Sequence, residues 1–231
     1  MKLLLRGLSL LALVGGCVGL GGIGCGGINY YTYKEVAAPD HITHPLVIPL
    51  VIDSQFSAAE ALEIKQAARE WNTVLNGQIK IVFSEHTEMG SDHQKHLYPS
   101  TFKTFSDGKK LQGQYENSNL GWVVYHLNSD DPNLATFGEI NSGTLAFVMG
   151  IDEHFIVVIN DRFANRSLKD VMMHEMGHLL GADHIKVSSL EYPYYSNQQS
   201  DCIDKITAAQ VAEVRKLDLA TLRYCLLPGW E

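Results

Sequence analysis

Apolar residues fall into short runs and helically spaced stripes along this chain, separated by polar and glycine-rich stretches. Leu46–Ile52 is an apolar run of the length of a buried strand, with Pro49 marking a strand end or edge. Ile79–Phe83 alternates as a strand, and further strands are predicted at Trp122–Leu127, Thr144–Val148 and Phe155–Asn160. Ser57-Ala58-Ala59-Glu60 has the spacing of a capping box. It opens a helix whose Ala61, Ile64, Ala68, Trp71 and Leu75 share one face, and Asn76-Gly77 stops it. A second helix begins near Arg166 or Ser167, where Ser167 and Asp170 have cap spacing. It carries Val171, Met172, Met173, Met176, Leu179 and Leu180, and it ends at Gly181. A last helix follows Thr207-x-x-Gln210, with Val211, Val214 and Leu217 as its core face. No repeat is present. The predicted fold class is α+β: a twisted mixed sheet of about five strands, with an N-terminal helix, a helix beneath a cleft and a C-terminal helix.

Residues 84–120 break this rhythm. The stretch is long and polar, and it holds His86, His93 and His96. A structureless loop of that length is unusual, so an insertion with local structure of its own or a functional rim is expected. Solvated histidines are the simpler reading, because their spacing matches no ligand pattern.

The N-terminus changes the picture of domain and compartment. Lys2 and Arg6 precede the apolar run Gly7–Val14, and Gly15-Gly16-Cys17 follows. A positive segment, a short hydrophobic segment and small residues make an export signal. Val14-Gly15-Gly16-Cys17 resembles the bacterial lipoprotein box, which implies a signal peptide over 1–16 and a lipid on Cys17. The competing readings are an uncleaved anchor from about Leu8 to Ile28, dense in glycine and so a poor helix, and a secreted protein without lipid. Residue 18 is Val, not Asp, so nothing resembles an inner-membrane retention signal. Residues 17–44 read as a flexible glycine-rich tether and 45–231 as the folded domain. The expected location is the bacterial cell envelope (the outer membrane in a Gram-negative cell), with the domain outside the cytoplasm.

The chain has 231 residues, 45% hydrophobic content and a formal net charge of −8. That is enough for one good core. No basic run of five or more residues occurs, so nucleic-acid binding is not supported. Of four cysteines, Cys25 lies in the tether. Cys202 and Cys225 flank the last helix and are a candidate disulfide for an exported protein; two buried thiols are the alternative.

Candidate chemistry is concentrated in His174-Glu175-Met176-Gly177-His178-Leu179-Leu180-Gly181-Ala182-Asp183-His184. At about 100° per residue, His174 and His178 lie within roughly 40° of each other on the helix and can hold one ion. Gly181 permits the turn that returns His184 as a third nitrogen ligand. Glu175 cannot point at the ion along the same line, and it is placed to handle the proton of a metal-bound water. Three surface histidines on a polar helix face are the bland alternative. The apolar flanks argue against it, since buried polar groups need partners.

These residues resemble a metzincin zinc peptidase, and more closely a matrixin, over about residues 45–227. Ser142-Gly143-Thr144-Leu145-Ala146 is similar to the matrixin entry to an edge strand. The resemblance implies that Leu145, Ala146 and Phe147, continuing to Val148, pair antiparallel with a bound peptide. Glu191-Tyr192-Pro193-Tyr194-Tyr195 is similar to the family's Met-Tyr-Pro-x-Tyr segment, which makes Pro193 and Tyr195 a wall of the specificity pocket. The family's methionine under the metal is missing: Glu191 takes its place in the simplest alignment, and Leu190 with a one-residue shift. A Leu there fills the same apolar floor, whereas a Glu would become an extra ligand. No inhibitory cysteine pro-segment is seen. The structural-zinc pattern is not reproduced either: Phe147 stands where a His is expected, and His154 in Asp152-Glu153-His154-Phe155 is left alone.

The resemblance thus implies a zinc-dependent endopeptidase holding one catalytic Zn2+, with protein or peptide substrates. A structural Ca2+ or second Zn2+ has no ligand pattern behind it. The molecule is expected to be a monomer, tied to the membrane by its N-terminal lipid. Two other readings stay open: a zinc-containing peptide-binding lipoprotein without turnover, and a structural lipoprotein with incidental histidines.

Overall fold

The computed structural model describes residues 32–39, 42, 45–83, 99–118, 121–149, 154–163, 167–185, 190 and 202–226. The chain divides into two units, Met1–Tyr30 and Tyr31–Glu231, and every described residue belongs to the second. In chain order its elements are β1 (Thr32–Tyr33), β2 (Leu46–Asp53), α1 (Ala58–Leu75), β3 (Ile79–Phe83), β4 (Thr101–Phe102), α2 (Phe105–Ser118) and β5 (Trp122–Leu127). There follow β6 (Ala146–Phe147), β7 (Phe155–Ile159), α3 (Leu168–Leu180), α4 (Lys205–Arg215) and β8 (Cys225–Leu226).

The main sheet has six strands in the order β3-β2-β5-β7-β6, with β4 also paired to β2. All pairs are parallel except β6 with β7, where Ala146 faces Val158 and Phe147 faces Val157. The mixed sheet of the sequence reading is thus present with six strands. Strand alternation divides its side chains between two cores. Ile48, Leu50, Ile52, Val124, Ile156 and Val158 face α1 and α3. Val51, Val123, Tyr125, Leu127, Val157 and Ile159 point the other way, into an aromatic cluster with Phe102, Tyr115 and Phe137. Burial on both faces explains why these strands read as near-continuous apolar runs.

The two long N-terminal signals behave as their chemistry demands. Ser57 and Glu60 form the full reciprocal capping box, and Asn76 closes α1 in the left-handed conformation. Trp71, fully buried on α1, donates its indole N–H to the Met173 carbonyl at 2.8 Å and so fastens α1 to α3. Pro49, expected at a strand end or edge, lies inside β2 opposite Val82. Leu46 and Ile52 donate to Gln78 and Ser100 on the β3–β4 side. Alternation turns the Pro49 nitrogen to the opposite side, where pairing with β5 begins only at Leu50. No ladder donor is missed there.

The polar stretch 84–120 has local structure of its own, the helix α2, which covers the outer face of the sheet; residues 84–98, with His86, His93 and His96, lie outside the described residues. Three other sequence expectations are corrected. The predicted strand Thr144–Val148 shortens to β6. The last helix starts at Lys205 because Asp204, not Thr207, is its N-cap. Its buried face is Thr207, Ala208, Val211 and Ala212, with Val214 exposed. Finally, residues 32–37, read as tether, are laid against the domain. β1 pairs with β8, the Tyr33 hydroxyl donates to Glu70 at 2.6 Å, and Val36 O accepts from Arg223 Nε at 3.0 Å.

Candidate metal centre

The site is built on the second half of α3. Ser167 caps this helix by accepting from the Asp170 N–H, and Lys169 N–H donates to Glu63 of α1. Nearly every residue from Val171 to Leu180 is buried, so the helix runs through the protein between α1 and α4. It stops at Gly181, whose φ of 108° is open to glycine and costly for other residues. The Gly181 and Ala182 N–H groups return to Gly177 and His178 carbonyls. That turn swings His184 back over the helix.

The outcome is a tight triangle of imidazoles. The Nε2 atoms of His174 and His178 are 3.1 Å apart, those of His178 and His184 3.1 Å, and those of His174 and His184 3.2 Å. Four nitrogens about 2.05 Å from a tetrahedral zinc are separated by about 3.3 Å. The outer nitrogens decide the tautomers. His174 Nδ1 lies 2.8 Å from Leu190 O, and His178 Nδ1 lies 2.9 Å from Ala182 O. A carbonyl only accepts, so these Nδ1 atoms carry the protons and the two Nε2 atoms present bare lone pairs. Lone pairs converging at this distance repel one another unless a cation lies among them. The three histidines form the only metal-competent cluster of three or more His, Cys, Asp or Glu among the described residues. The donor set fits the zinc implied by the motif.

Electrostatics point the same way. Burial pushes the His174 imidazole down to about 3, with His178 beside it adding to the effect. Burial also lowers His178 and His184. All three rings are thus neutral ligands at neutral pH. Glu175 is 6% exposed and lies beside the triangle in sequence without joining it. Burial raises its carboxyl to about 8, opposed by a hydrogen bond from the Val148 backbone. That bond ties the acid to the residue just after β6, the edge strand.

Ala146 and Phe147 form β6, whose second edge has no strand partner among the described residues; Leu145 precedes it with its carbonyl accepting the Ile159 N–H, and the Phe147 ring packs on Phe137 in the outer core. Leu190 is fully buried in the main core, and its carbonyl accepts from His174 Nδ1. Glu191, Pro193, Tyr195 and Cys17 lie outside the described residues. His154 bonds through Nδ1 to Gly121 O at 3.2 Å and joins no cluster. Cys202 and Cys225 are joined in a disulfide, leaving neither for a metal.

Sequence reasoning missed the groups that hold the ligands. The carbonyls of Ala182 and Leu190 orient two imidazoles, and Asp204 accepts the Leu190 N–H at 2.7 Å. Arg215 donates to the Leu179 and Leu180 carbonyls at the end of α3. Backbone acceptors carry no residue-type signal. Asp204 did carry one, as an N-cap residue just before an apolar stretch.

A family model described as Matrixin, a peptidase family, matches residues 53–217. No curated protein matches the chain. Among solved structures, metalloproteinase-II from Bacteroides fragilis aligns with a TM-score of 0.43 and 19% identity, over 79% of this chain and 56% of that one. The present chain therefore spans little more than half the length of that structure. The family match takes in the histidine triangle, Glu175 and the edge strand, and it covers more than two thirds of the sequence: the chain belongs to the matrixin family.

Proposed function

We propose that this protein is a zinc-dependent endopeptidase anchored at the cell envelope by a lipid on Cys17, with its folded domain outside the cytoplasm. One observation carries the catalytic part: three Nε2 atoms converge within 3.2 Å, beside a buried carboxylate that is not one of the ligands. Zinc, when bound, supplies a Lewis acid that acidifies water and polarises a carbonyl oxygen. His174, His178 and His184 would hold it through Nε2, with two outer nitrogens fixed by backbone carbonyls. Glu175 is the proton carrier. One of its carboxylate oxygens takes a proton from the attacking water and passes it to the leaving amide nitrogen. Burial, which raises the proton affinity of this carboxyl, suits it to that task.

An extended peptide would lie along the edge of β6 that has no strand partner among the described residues and add a strand there, pairing with Leu145, Ala146 and Phe147. Pro193 and Tyr195 are assigned to the pocket wall by the family resemblance. The Lys2–Cys17 pattern supports export with lipidation. The Cys202–Cys225 disulfide agrees with it, because such bonds persist in oxidising compartments. We assign the working form as a monomer.

The test combines zinc stoichiometry with cleavage of a reduced, carboxymethylated protein. The reading expects one zinc per chain, and cleavage that stops with a chelator and returns with zinc. One zinc without cleavage would favour the peptide-binding lipoprotein. A metal-free chain whose melting temperature ignores added zinc would leave the histidines incidental. Palmitate labelling lost in Cys17→Ser tests the anchor.

A further inference from the structure

β7 runs into a single turn, Asn160–Arg162, and each side chain of that turn goes to a different neighbour. Asn160 bonds to the Glu60 carboxylate of α1. Asp161 accepts the N–H and the hydroxyl of Ser129, in the loop after β5. Arg162 turns to the loop before β6, where its Nη1 donates to Asn141 O at 2.7 Å and to Thr144 O at 2.9 Å. Those carbonyls are the two ends of one turn, closed by the Thr144 N–H on Asn141 O at 3.1 Å. Packing does not hold this turn: Asn141, Ser142 and Gly143 are exposed, and a methyl group at Gly143 would meet nothing within 4 Å. Nor does β6 fix itself. It is two residues long, with β7 as its one strand partner among the described residues, and the Ile159 N–H donates to Leu145 O at 2.8 Å just before it. A ladder so short grips its register weakly, and a slip of one residue exchanges its two faces.

We propose that Arg162 is a positioning residue for the substrate: its guanidinium pins both ends of the Asn141–Thr144 turn to the end of β7, and so fixes where β6 begins and the register in which a peptide strand is added. The cation suits the task. A guanidinium keeps its proton at any working pH, and hydrogen bonds from an ionised donor are the strong ones. An unpinned β6 would present its backbone in more than one register, and a peptide would bind the competent fraction alone. That cost falls equally on ground and transition states, so it is read in KM and not in kcat. A residue that merely supported the fold would lower the fraction of working molecules, and hence kcat, without moving KM.

The inference rests on the edge-strand reading of the proposed function, and its test keeps the two apart. Arg162→Met keeps an aliphatic stem and removes every donor; Arg162→Lys keeps a cation on a shorter one. Steady-state cleavage of a quenched-fluorescence peptide is measured on the full, zinc-loaded chain, with zinc content alongside. Arg162→Met should raise KM about 10-fold or more, with kcat within about 2-fold and zinc content unchanged. Arg162→Lys should lie between it and the unaltered protein. Amide exchange gives a readout that needs no cleavage. The Ile159 N–H, bonded to Leu145 O, should exchange about 10-fold faster in Arg162→Met, while the Val123 N–H, bonded to His154 O at the other end of β7, keeps its rate. Unchanged KM together with unchanged Ile159 exchange overturns the inference, as does a loss confined to kcat. Unchanged KM with faster Ile159 exchange overturns it by another route: the clamp is real, and the edge-strand reading fails.

Discussion

The backbone of Gly181 lies directly against the side chain of Val214. A methyl group added at Gly181 would stand 2.5 Å from Val214 Cγ1 and 2.7 Å from its Cβ. The glycine of the metal motif is therefore required twice, once for its φ of 108° and once for the approach of α4. Gly181→Ala should combine about 1 kcal/mol of left-handed strain with about 1–3 kcal/mol of overpacking. Urea unfolding should show a loss of about 2–4 kcal/mol. Adding Val214→Ala should recover only the part of the overpacking that comes from the two Cγ atoms, because alanine keeps the Cβ at 2.7 Å. Full recovery would mean that the turn carries no backbone strain.

Glu175 is tied to Val148 and is not a member of the histidine triangle. Glu175→Ala should therefore bind zinc with the stoichiometry of the unaltered protein while cleavage falls by about two to four orders of magnitude. Elemental analysis and a single-turnover cleavage assay give the two readouts. Cleavage at the original rate would remove Glu175 from the mechanism.

In the zinc-free protein, stability should pass through a maximum near pH 6.5. The three imidazoles have folded-state pKa values below the unfolded value of about 6.5. Below that pH the unfolded chain takes up protons that the folded protein refuses, so stability falls as pH falls. His174, at about 3, contributes on the order of 2 kcal/mol of this loss by pH 4.5. Glu175 acts in the opposite sense. Its folded value of about 8 lies above the unfolded value of 4.5, so its contribution is full below pH 4.5 and is lost progressively up to pH 8. It offsets the His174 gain below pH 6.5, leaves the rise there to His178 and His184, and makes stability fall above it. Urea midpoints measured from pH 4.5 to 8.5 in chelator check this. A steady rise across the range would contradict it.

Gly108 on α2 packs so close to the sheet that a Cβ would lie 2.6 Å from Tyr125 Cε1 and 2.8 Å from Phe102 Cε2. Alanine gains about 1 kcal/mol of helix propensity, but it meets two rings packed in the outer core. Gly108→Ala should cost about 1–3 kcal/mol in overpacking and so about 0–2 kcal/mol net. Zinc affinity should not change, because the motif helix packs on the opposite face of the sheet. Thermal melts and chelator competition on the same preparation test both halves.

The Cys202–Cys225 bond closes a separation of 23 residues around α4. Chain entropy assigns such a loop about 3 kcal/mol. Cys202→Ala with Cys225→Ala should lose about that much in urea unfolding. Because Cys225 lies in β8 opposite Tyr33, proteolysis near residues 32–37 should also quicken. Unchanged cleavage there would mean that β1 holds its place without the bond.

Much was legible in residue order because the signals were local. The capping pair Ser57 and Glu60, the Asn76-Gly77 stop and the motif spacing His174–His178–Gly181–His184 depend on a few bonds and on side-chain type. Those alone determine two of the helices, the turn and the three ligands. Helix α2 escaped detection because Gly108 and Gln112 interrupt the inward face that Phe105, Leu111 and Tyr115 otherwise make apolar. Gln112 is buried with its amide satisfied by Lys109 and Glu116 of the same helix and by the Tyr125 hydroxyl, which donates to it at 3.0 Å. Pro49 misled because which side of β2 needs a donor is a property of its neighbours. Residues 32–37 carried no periodicity, yet β8 and Arg223 gave them partners. The orientation of His174 was likewise decided from afar, by a carbonyl at Leu190 and a carboxylate at Asp204. Local chemistry names the groups that can bind and react. Only long-range packing decides which backbone atoms hold them still, because every peptide unit has the same donors and acceptors and folding alone chooses among them.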